Sequence, residues 1–274
     1  MTLPGRLPAH HLRACPQSSS SNLGKTRLTR SSQIRDKLTY QMVSAARYLF
    51  DKGTGYGGDS PMTEAKWLQR FIFLETVAAI PGMVGGAVRH LHSLRLMKRD
   101  GGWIHTLLEE AENERMHLLT FIQLRDPGAL FRLAVLGAQG LLFNVFFASY
   151  LLSPKTVHRF VGHLEEQAVK TYTHAIQEIE EGKLPAWTNL PPPDIAKDYW
   201  KLKEGAVMRD LLLAVRADEA CHSHVNHTFA SLPQHAVNPF KKGQHNVPLV
   251  FVDPPPGIDM NTGLAFQSTG APKK

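Results

Sequence analysis

Two short runs carry residues that could do chemistry. EEAENERMHLL at 109–119 and RADEACHSHVNH at 216–227 each contain Glu-x-x-His: Glu114 with His117, and Glu219 with His222. Residues three apart on a helix share a face, so each run can bring a carboxylate and an imidazole to one point in space. Positions 107, 111, 114, 118 and 121 step by four and three and read Leu, Ala, Glu, Leu, Phe. Glu114 therefore sits in an apolar seam with His117 beside it, while Glu109 and Glu112 fall outside and read as solvated charges. Positions 212, 215, 219, 222, 226 and 229 read Leu, Val, Glu, His, Asn, Phe, again with the motif inside the seam.

Two further segments add one inward carboxylate each. Glu75 lies in the seam 68, 72, 75, 79, and Glu165 in the seam 161, 165, 168, 172, 175, 179. Isolated carboxylates are costly to bury and shift toward the neutral form. A pair of metal ions removes that cost. One Glu from each of two helices plus Glu-x-x-His from each of two others is the donor set of a di-iron carboxylate bundle. Glu-x-x-His alone is a weak pattern. The seam positions in four separate segments carry the inference, against the alternative of buried polar groups satisfied by hydrogen bonds.

The elements that must position these residues read as helices throughout. A first helix covers about 32–51 and is broken by GTGYGG at 53–58. A second starts after Ser60-Pro61 as N-cap and first turn, and Pro81 is expected to kink it. RDGG at 99–102 precedes a third helix over 103–125, and DPG at 126–128 opens a fourth that ends near Pro154. A fifth covers 155–181. After PPPD at 191–194, a sixth runs from about 196 or 204 to 230. The expected fold is all-α: a ferritin-like four-helix bundle plus two extra helices forming a membrane-facing surface. The helical domain is expected over 32–240, followed by an irregular tail over 241–274.

The fourth helix differs in kind, because no charged residue occurs from Leu133 to Pro154. That length suffices to cross a bilayer. Arg132, Gln139 and Tyr150 share one face, and Leu136, Phe143, Phe146 and Phe147 fall on the other. A span, a buried core helix and an interfacial helix all fit. With no second comparable segment, the interfacial anchor is preferred. The first helix, with Leu38, Met42, Ala45, Leu49 and Phe50, is a second candidate membrane contact.

Composition narrows the classes further. The chain has 274 residues, 43% of them hydrophobic, with a net charge of +7, enough for one large core. No acidic residue precedes Asp36, whereas Arg6, Arg13, Lys25, Arg27, Arg30 and Arg35 do, among many serines. Residues 1–31 thus read as a transit peptide, or else a disordered basic arm. Beyond that arm the basic residues neither cluster nor interleave with aromatics, which argues against nucleic acid as a partner. The two cysteines, Cys15 and Cys221, cannot form a disulfide framework.

The blocks LET (74–76), AIPGMVGG (79–86), EEAENERMHL (109–118), LEEQA (164–168) and RADEACHSHVNH (216–227) resemble the signature blocks of the mitochondrial alternative oxidases. The resemblance runs from about residue 36 to Phe240. It implies a cyanide-insensitive, non-pumping ubiquinol:oxygen oxidoreductase with two iron ions. It also implies a homodimer held as a monotopic protein on the matrix side of the mitochondrial inner membrane. Its iron ligands carry over onto Glu75, Glu114, His117, Glu165, Glu219 and His222, and its redox-active tyrosine onto Tyr172. Its supporting positions match Asn113, Tyr150, His158, Tyr199, Trp200 and Asp218. Its quinol pocket falls on Arg47, Asp51, Arg70, Leu74, Leu164, Gln167, Ala168 and Thr171. The family commonly has a third glutamate where this chain has Gln167, which can hydrogen-bond a quinol hydroxyl but cannot take its proton as a carboxylate would. A quinone-modifying di-iron hydroxylase, or another ferritin-like oxygenase, is the alternative enzyme reading.

Overall fold

A computed structural model of the protein describes residues 30–57, 61–240, 258–259 and 264–265. All but the last two of the leader residues 1–31, and most of the tail 241–274, lie outside these. Eight α-helices occur among the described residues: α1 (Arg30–Thr54), α2 (Glu64–Ala78), α3 (Ile80–Leu96), α4 (Trp103–Leu124), α5 (Ala129–Leu152), α6 (Pro154–Glu180), α7 (Asp194–Trp200) and α8 (Met208–Ser231). In the tail, Ile258–Asp259 pairs antiparallel with Leu264–Ala265. Helices α2, α4, α6 and α8 form the bundle. Trp67, Phe71, Phe121, Tyr172, Leu211 and Val215 fill one part of its interior, and Trp103, Leu107, Val225 and Phe229 another.

Two boundaries depart from the sequence expectation. The second helix begins at Glu64 under Thr63, whose side chain accepts from the Lys66 amide, rather than under Ser60-Pro61. Ser/Thr at this position satisfies one of the amides left free at a helix start. The expected sixth helix is two elements. Its α7 ends at Lys201, in the left-handed conformation at φ 50, and α8 starts at Met208 with Asp210 accepting from the Val207 amide at 2.9 Å. Pro81 interrupts the ladder as expected, and α2 gives way to α3 at Ala79. The whole run Glu64–Leu96 is nonetheless apolar and long enough to rank beside α5 as a membrane-length segment. This corrects the expectation that no second one exists; just over half of its apolar window (56%) is buried inside the protein.

Helix α5 is the outlier the sequence marked. Of its residues only Tyr150 is fully buried, and Leu133, Leu136, Leu141, Phe143 and Leu151 are exposed. Phe146, placed on the outer face by the sequence reading, instead packs inward with Ile80, Val84, Tyr150 and Val161. Gln139 faces inward too, donating to the Thr76 carbonyl at 2.7 Å, whereas Arg132 stays outside on Asp126 and the Pro127 carbonyl. Leu38, Met42 and Leu49 of α1 are similarly exposed.

Glycines set one close approach that matters for the site. A Cβ on Gly82 of α3 would lie 2.6 Å from the Leu107 carbonyl of α4. Gly82→Ala gains up to about 1 kcal/mol of helix propensity, but overpacking a backbone that cannot yield costs about 1–3 kcal/mol. The upper part of that range applies to a clash with main chain, so a net loss of about 1–2 kcal/mol is expected, measurable by thermal unfolding.

Candidate metal centre

The seam residues of four helices meet in the bundle interior. Glu75 (α2), Glu114 and His117 (α4) and Glu219 (α8) place one donor atom each within 4.8 Å of one another. His117 Nδ1 lies 3.3 Å from Glu75 Oε2, 3.5 Å from Glu114 Oε2 and 3.3 Å from Glu219 Oε1. His222 Nδ1 is 2.6 Å from Glu114 Oε1 and 4.0 Å from Glu219 Oε2. Glu165 of α6 lies against Glu219, whose hydrogen bond and charge add to burial in raising its pKa well above the usual carboxylate range. All six side chains are buried.

The electrostatics describe a site short of positive charge. Burial raises Glu75 to about 8, against the pull of His117. Burial would also raise Glu114, but His117 and His222 hold it well below its ordinary value. Burial opposes the charged form of both imidazoles, yet Glu114 above all holds His117 well above its ordinary value and His222 at about 10. Protons thus stand in as the cations of the cluster.

The donor set fits a metal pair on a second ground. Glu75 Oε2, both oxygens of Glu114, Glu219 Oε2, His117 Nδ1 and His222 Nδ1 are buried and find no well-angled hydrogen bond, their nearest partners being one another, as with His222 Nδ1 and Glu114 Oε1 at 2.6 Å. Buried polar atoms are normally paired, and leaving one unmade costs about 1–3 kcal/mol. Six orphaned lone-pair donors aimed at one volume are what a cation satisfies. Carboxylate oxygens with two imidazoles suit a hard or borderline divalent ion such as iron.

A second group tests the same criterion and fails it. His163, Glu166 and His227 also converge, but Glu166 takes a hydrogen bond from each imidazole, at 3.1 and 2.9 Å. His227 Nδ1 is occupied by Arg159 at 2.9 Å. Burial would raise Glu166, yet bonds from His163 and His227 hold it at about 2. His163 Nε2 makes no hydrogen bond but lies 3.4 Å from Asp36 Oδ1, so most of that group's donor atoms are engaged without an ion.

Around the centre, the supporting residues fall into two networks. Asp218 Oδ2 faces His117 Nε2 at 3.2 Å and accepts from Asn113 at 3.0 Å and Trp200 Nε1 at 2.8 Å, while Asn113 also donates to the Tyr199 hydroxyl. A carboxylate behind the distal nitrogen orients the ring and turns Nδ1 inward. On the other side Tyr150 donates to His158 Nε2 at 3.0 Å, and His158 Nδ1 donates to Asn226 Oδ1 at 2.9 Å. Burial lowers His158 to about 4, so the ring is neutral. Tyr172 donates to Glu75 Oε1 and stacks on Phe71, with ring centroids 4.7 Å apart.

Sequence reasoning missed Glu110. It is buried, accepts from Asn226 Nδ2 at 2.8 and 3.0 Å, and is raised to about 7, chiefly by burial. The signal was available: 103, 107, 110, 114, 117 and 121 also step by four and three, and all six are buried.

The residues expected to bind quinol divide. Arg47 donates to Asp51 at 2.5 Å, to the Gln167 carbonyl at 3.1 Å and to Thr171 at 3.0 Å, and Arg70 reaches Asp51 at 2.5 Å. These five form one network joining α1, α2 and α6. Gln167 enters it through its main chain. Leu74, Leu164 and Ala168 are half-buried on α2 and α6 and make none of these polar contacts.

Comparison with known sequences gives a consistent result. The alternative oxidase family model matches residues 18–231. Three curated relatives are each named "Alternative oxidase, mitochondrial". That of Emericella nidulans is 59% identical over 209 residues, covering 72% of this chain and 59% of the relative. Those of Ajellomyces capsulatus and Aspergillus niger are both 61% identical, covering 70% and 72% of this chain and 58% and 59% of theirs. The chain therefore spans a little under three-fifths of the length of these relatives.

Proposed function

Because the chain belongs to the alternative oxidase family, we propose that it oxidises ubiquinol and reduces dioxygen to water, cyanide-insensitively and without pumping protons. The observation that carries this is the convergence of orphaned buried carboxylate and imidazole donors. Two irons would be held by Glu75, Glu114, His117, Glu165, Glu219 and His222. When bound, such a pair supplies one-electron redox chemistry toward dioxygen. The chain contributes the rest. Asp218, with Asn113, Tyr199 and Trp200 around it, fixes the His117 ring. Tyr150, His158 and Asn226 form a second network on the α8 side, where Asn226 donates to the His222 main-chain carbonyl at 3.0 Å and to Glu110. Tyr172 is the one-electron donor, and its phenolic proton has an acceptor in Glu75.

Quinol binds against Arg47, Asp51, Arg70, Gln167 and Thr171, with Leu74, Leu164 and Ala168 as its apolar walls. The exposed apolar faces of α1 and α5 support a monotopic seat in the bilayer interface, which is where a lipid-soluble quinol is delivered. We place the protein on the matrix side of the mitochondrial inner membrane. A homodimer is supported by exposed Leu91, Leu94 and Leu108. They lie beside or on an open apolar depression of about 280 Å³ between α3 and α4, lined by Met83, Gly86, Ala87, His90, Ile104 and Leu108.

The test is oxygen uptake by membranes carrying the protein, driven by ubiquinol with cyanide present, with analysis of the quinone. Resistant uptake yielding unmodified quinone is expected. A quinone product carrying an added oxygen atom overturns the oxidase in favour of the hydroxylase.

Metal loading provides a second check. Near neutral pH the metal-free cluster holds protons on Glu75 and on both imidazoles, whose pKa values are raised. Binding requires deprotonated carboxylates and neutral imidazoles, so protons leave and affinity rises with pH. Titration with Fe(II) in weak buffer is expected to acidify the solution. The release is smaller above about pH 8, where Glu75 has already lost its proton.

A further inference from the structure

Oxidation of a quinol frees two protons along with two electrons, and the polar network proposed to bind it is a poor sink for them. Its carboxylate, Asp51, is engaged by Arg47 and Arg70, both at 2.5 Å. Gln167 enters the network through its main-chain carbonyl and an amide side chain is no base, and two guanidinium groups repel a proton left between them. A base must lie close by and open to water.

Such a group adjoins the network. The Tyr56 ring lies under Arg70, 3.9 Å from guanidinium carbon to ring centroid, with Arg47 at 5.3 Å. The Tyr56 hydroxyl donates to His174 Nδ1 at 2.6 Å. His174 follows Thr171 by three residues on α6 and thus shares its face, and Thr171 accepts from Arg47. The outer nitrogen of His174, Nε2, faces Glu178 Oε1 at 3.5 Å, and the side chain is 43% exposed. Glu178 is itself held by Trp67 Nε1 at 2.7 Å, and the Trp67 ring packs edge-on against both Tyr56 and His174. The charged and titratable groups facing this pair are Arg47, Arg70, Asp51 and Glu178, with Glu181 beyond His174.

We propose that Tyr56 and His174, with Glu178 orienting the ring, are the proton exit of the quinol pocket; this rests on the quinol oxidase reading. For each proton, an O–H bond of the quinol breaks and Tyr56 takes the proton while passing its own to His174 Nδ1. His174, then carrying a proton on each nitrogen, releases Nε2–H to water, and a flip of the ring presents the bare nitrogen to Tyr56 again before the second proton follows. The two electrons go to dioxygen in the reaction proposed above, and the two protons of each quinol follow one another along the same path. Burial, the leading influence on Tyr56, raises its pKa, so the phenol stays protonated and works by passing protons on rather than by ionising. Of the two, His174 is the one in contact with solvent.

The experiment uses the full-length, iron-loaded protein with a short-chain ubiquinol and compares Tyr56→Phe, His174→Ala and His174→Gln. Loss of a proton acceptor is expected to lower kcat by about 10²-fold. KM, iron content and binding of an unreactive quinone analogue are expected to stay as in the parent. Imidazole in the buffer is expected to restore turnover of H174A in a saturable way, because the vacated position is open to solvent. His174→Gln keeps a hydrogen-bond acceptor for Tyr56 without a titrating ring, so it separates support from proton transfer. Normal kcat in H174Q, or loss in H174A that imidazole does not restore, overturns the exit. Absence of quinol turnover in the parent protein overturns the oxidase reading itself, and the exit with it.

Discussion

Glu114→Ala is expected to abolish iron retention and quinol-driven oxygen uptake together, the largest effect of any single substitution in this chain. Glu114 lies against both imidazoles, at 2.6 Å from His222 and 3.5 Å from His117. Its oxygens face only the other members of the cluster. It is also the foremost favourable influence on the charge of each ring, and they hold it ionised in return. Its removal leaves two buried imidazoles whose raised pKa values must collapse. Breaking a buried ionic pair from one side costs about 3–5 kcal/mol, so a lower unfolding midpoint of the metal-free protein is expected as well. Glu112→Ala, two residues away, is the matched control. Glu112 is exposed and paired with Arg115 at 2.7 Å, and exposed pairs contribute about 0–1 kcal/mol. Iron analysis, oxygen uptake and thermal unfolding of the two variants decide the matter. Normal iron content in Glu114→Ala would remove the residue from the proposed ligand set.

Tyr172→Phe is expected to keep its iron and lose its turnover. The hydroxyl is buried and bonded to Glu75. Burial, followed by the Glu75 charge, holds the phenol pKa well above its ordinary value. Tyr172 therefore cannot ionise, and it can give up an electron only as its proton passes to Glu75, which the short bond between them allows. Phenylalanine fills the same space between Phe71 and Phe121 and removes that path. The loss of a buried hydrogen bond to a charged group costs about 1.5–3 kcal/mol of stability, too little to unfold a bundle of this size. Turnover about 10²-fold lower or less is expected, with no tyrosyl signal by electron paramagnetic resonance. Parent-level turnover in the variant would reduce Tyr172 to a packing residue.

How far these residues were legible varied with distance along the chain. Glu75, Glu114, Glu165 and Glu219 each announced themselves inside an apolar seam, because burial of one helical face imposes a period that a lone carboxylate conspicuously breaks. Glu110 breaks the same seam and was passed over, since its meaning depends on Asn226, more than a hundred residues away. Helix α7 was merged with α8 for a similar reason. Lys201 closes it in a left-handed conformation that a non-glycine residue adopts only where surrounding contacts enforce it. Phe146 was placed outward because a helix that is apolar nearly all round has no period to show which side meets the protein.

By itself, then, the sequence determined the helical class, the identity of the inward donors on each bundle helix and the uncharged character of α5. Each follows from local chemistry read at a spacing of three to four residues. Only the tertiary structure decided what those donors meet. It brought donor atoms of Glu75, Glu114, His117 and Glu219 within 4.8 Å of each other, left them facing one another without well-angled hydrogen bonds, and engaged Glu166 with both imidazoles of the similar His163, Glu166 and His227 group. It also set Tyr56 against His174 across more than a hundred residues of chain. The reason is physical: helical periodicity states which side chains face inward, whereas the packing of one helix on another states which atoms they face.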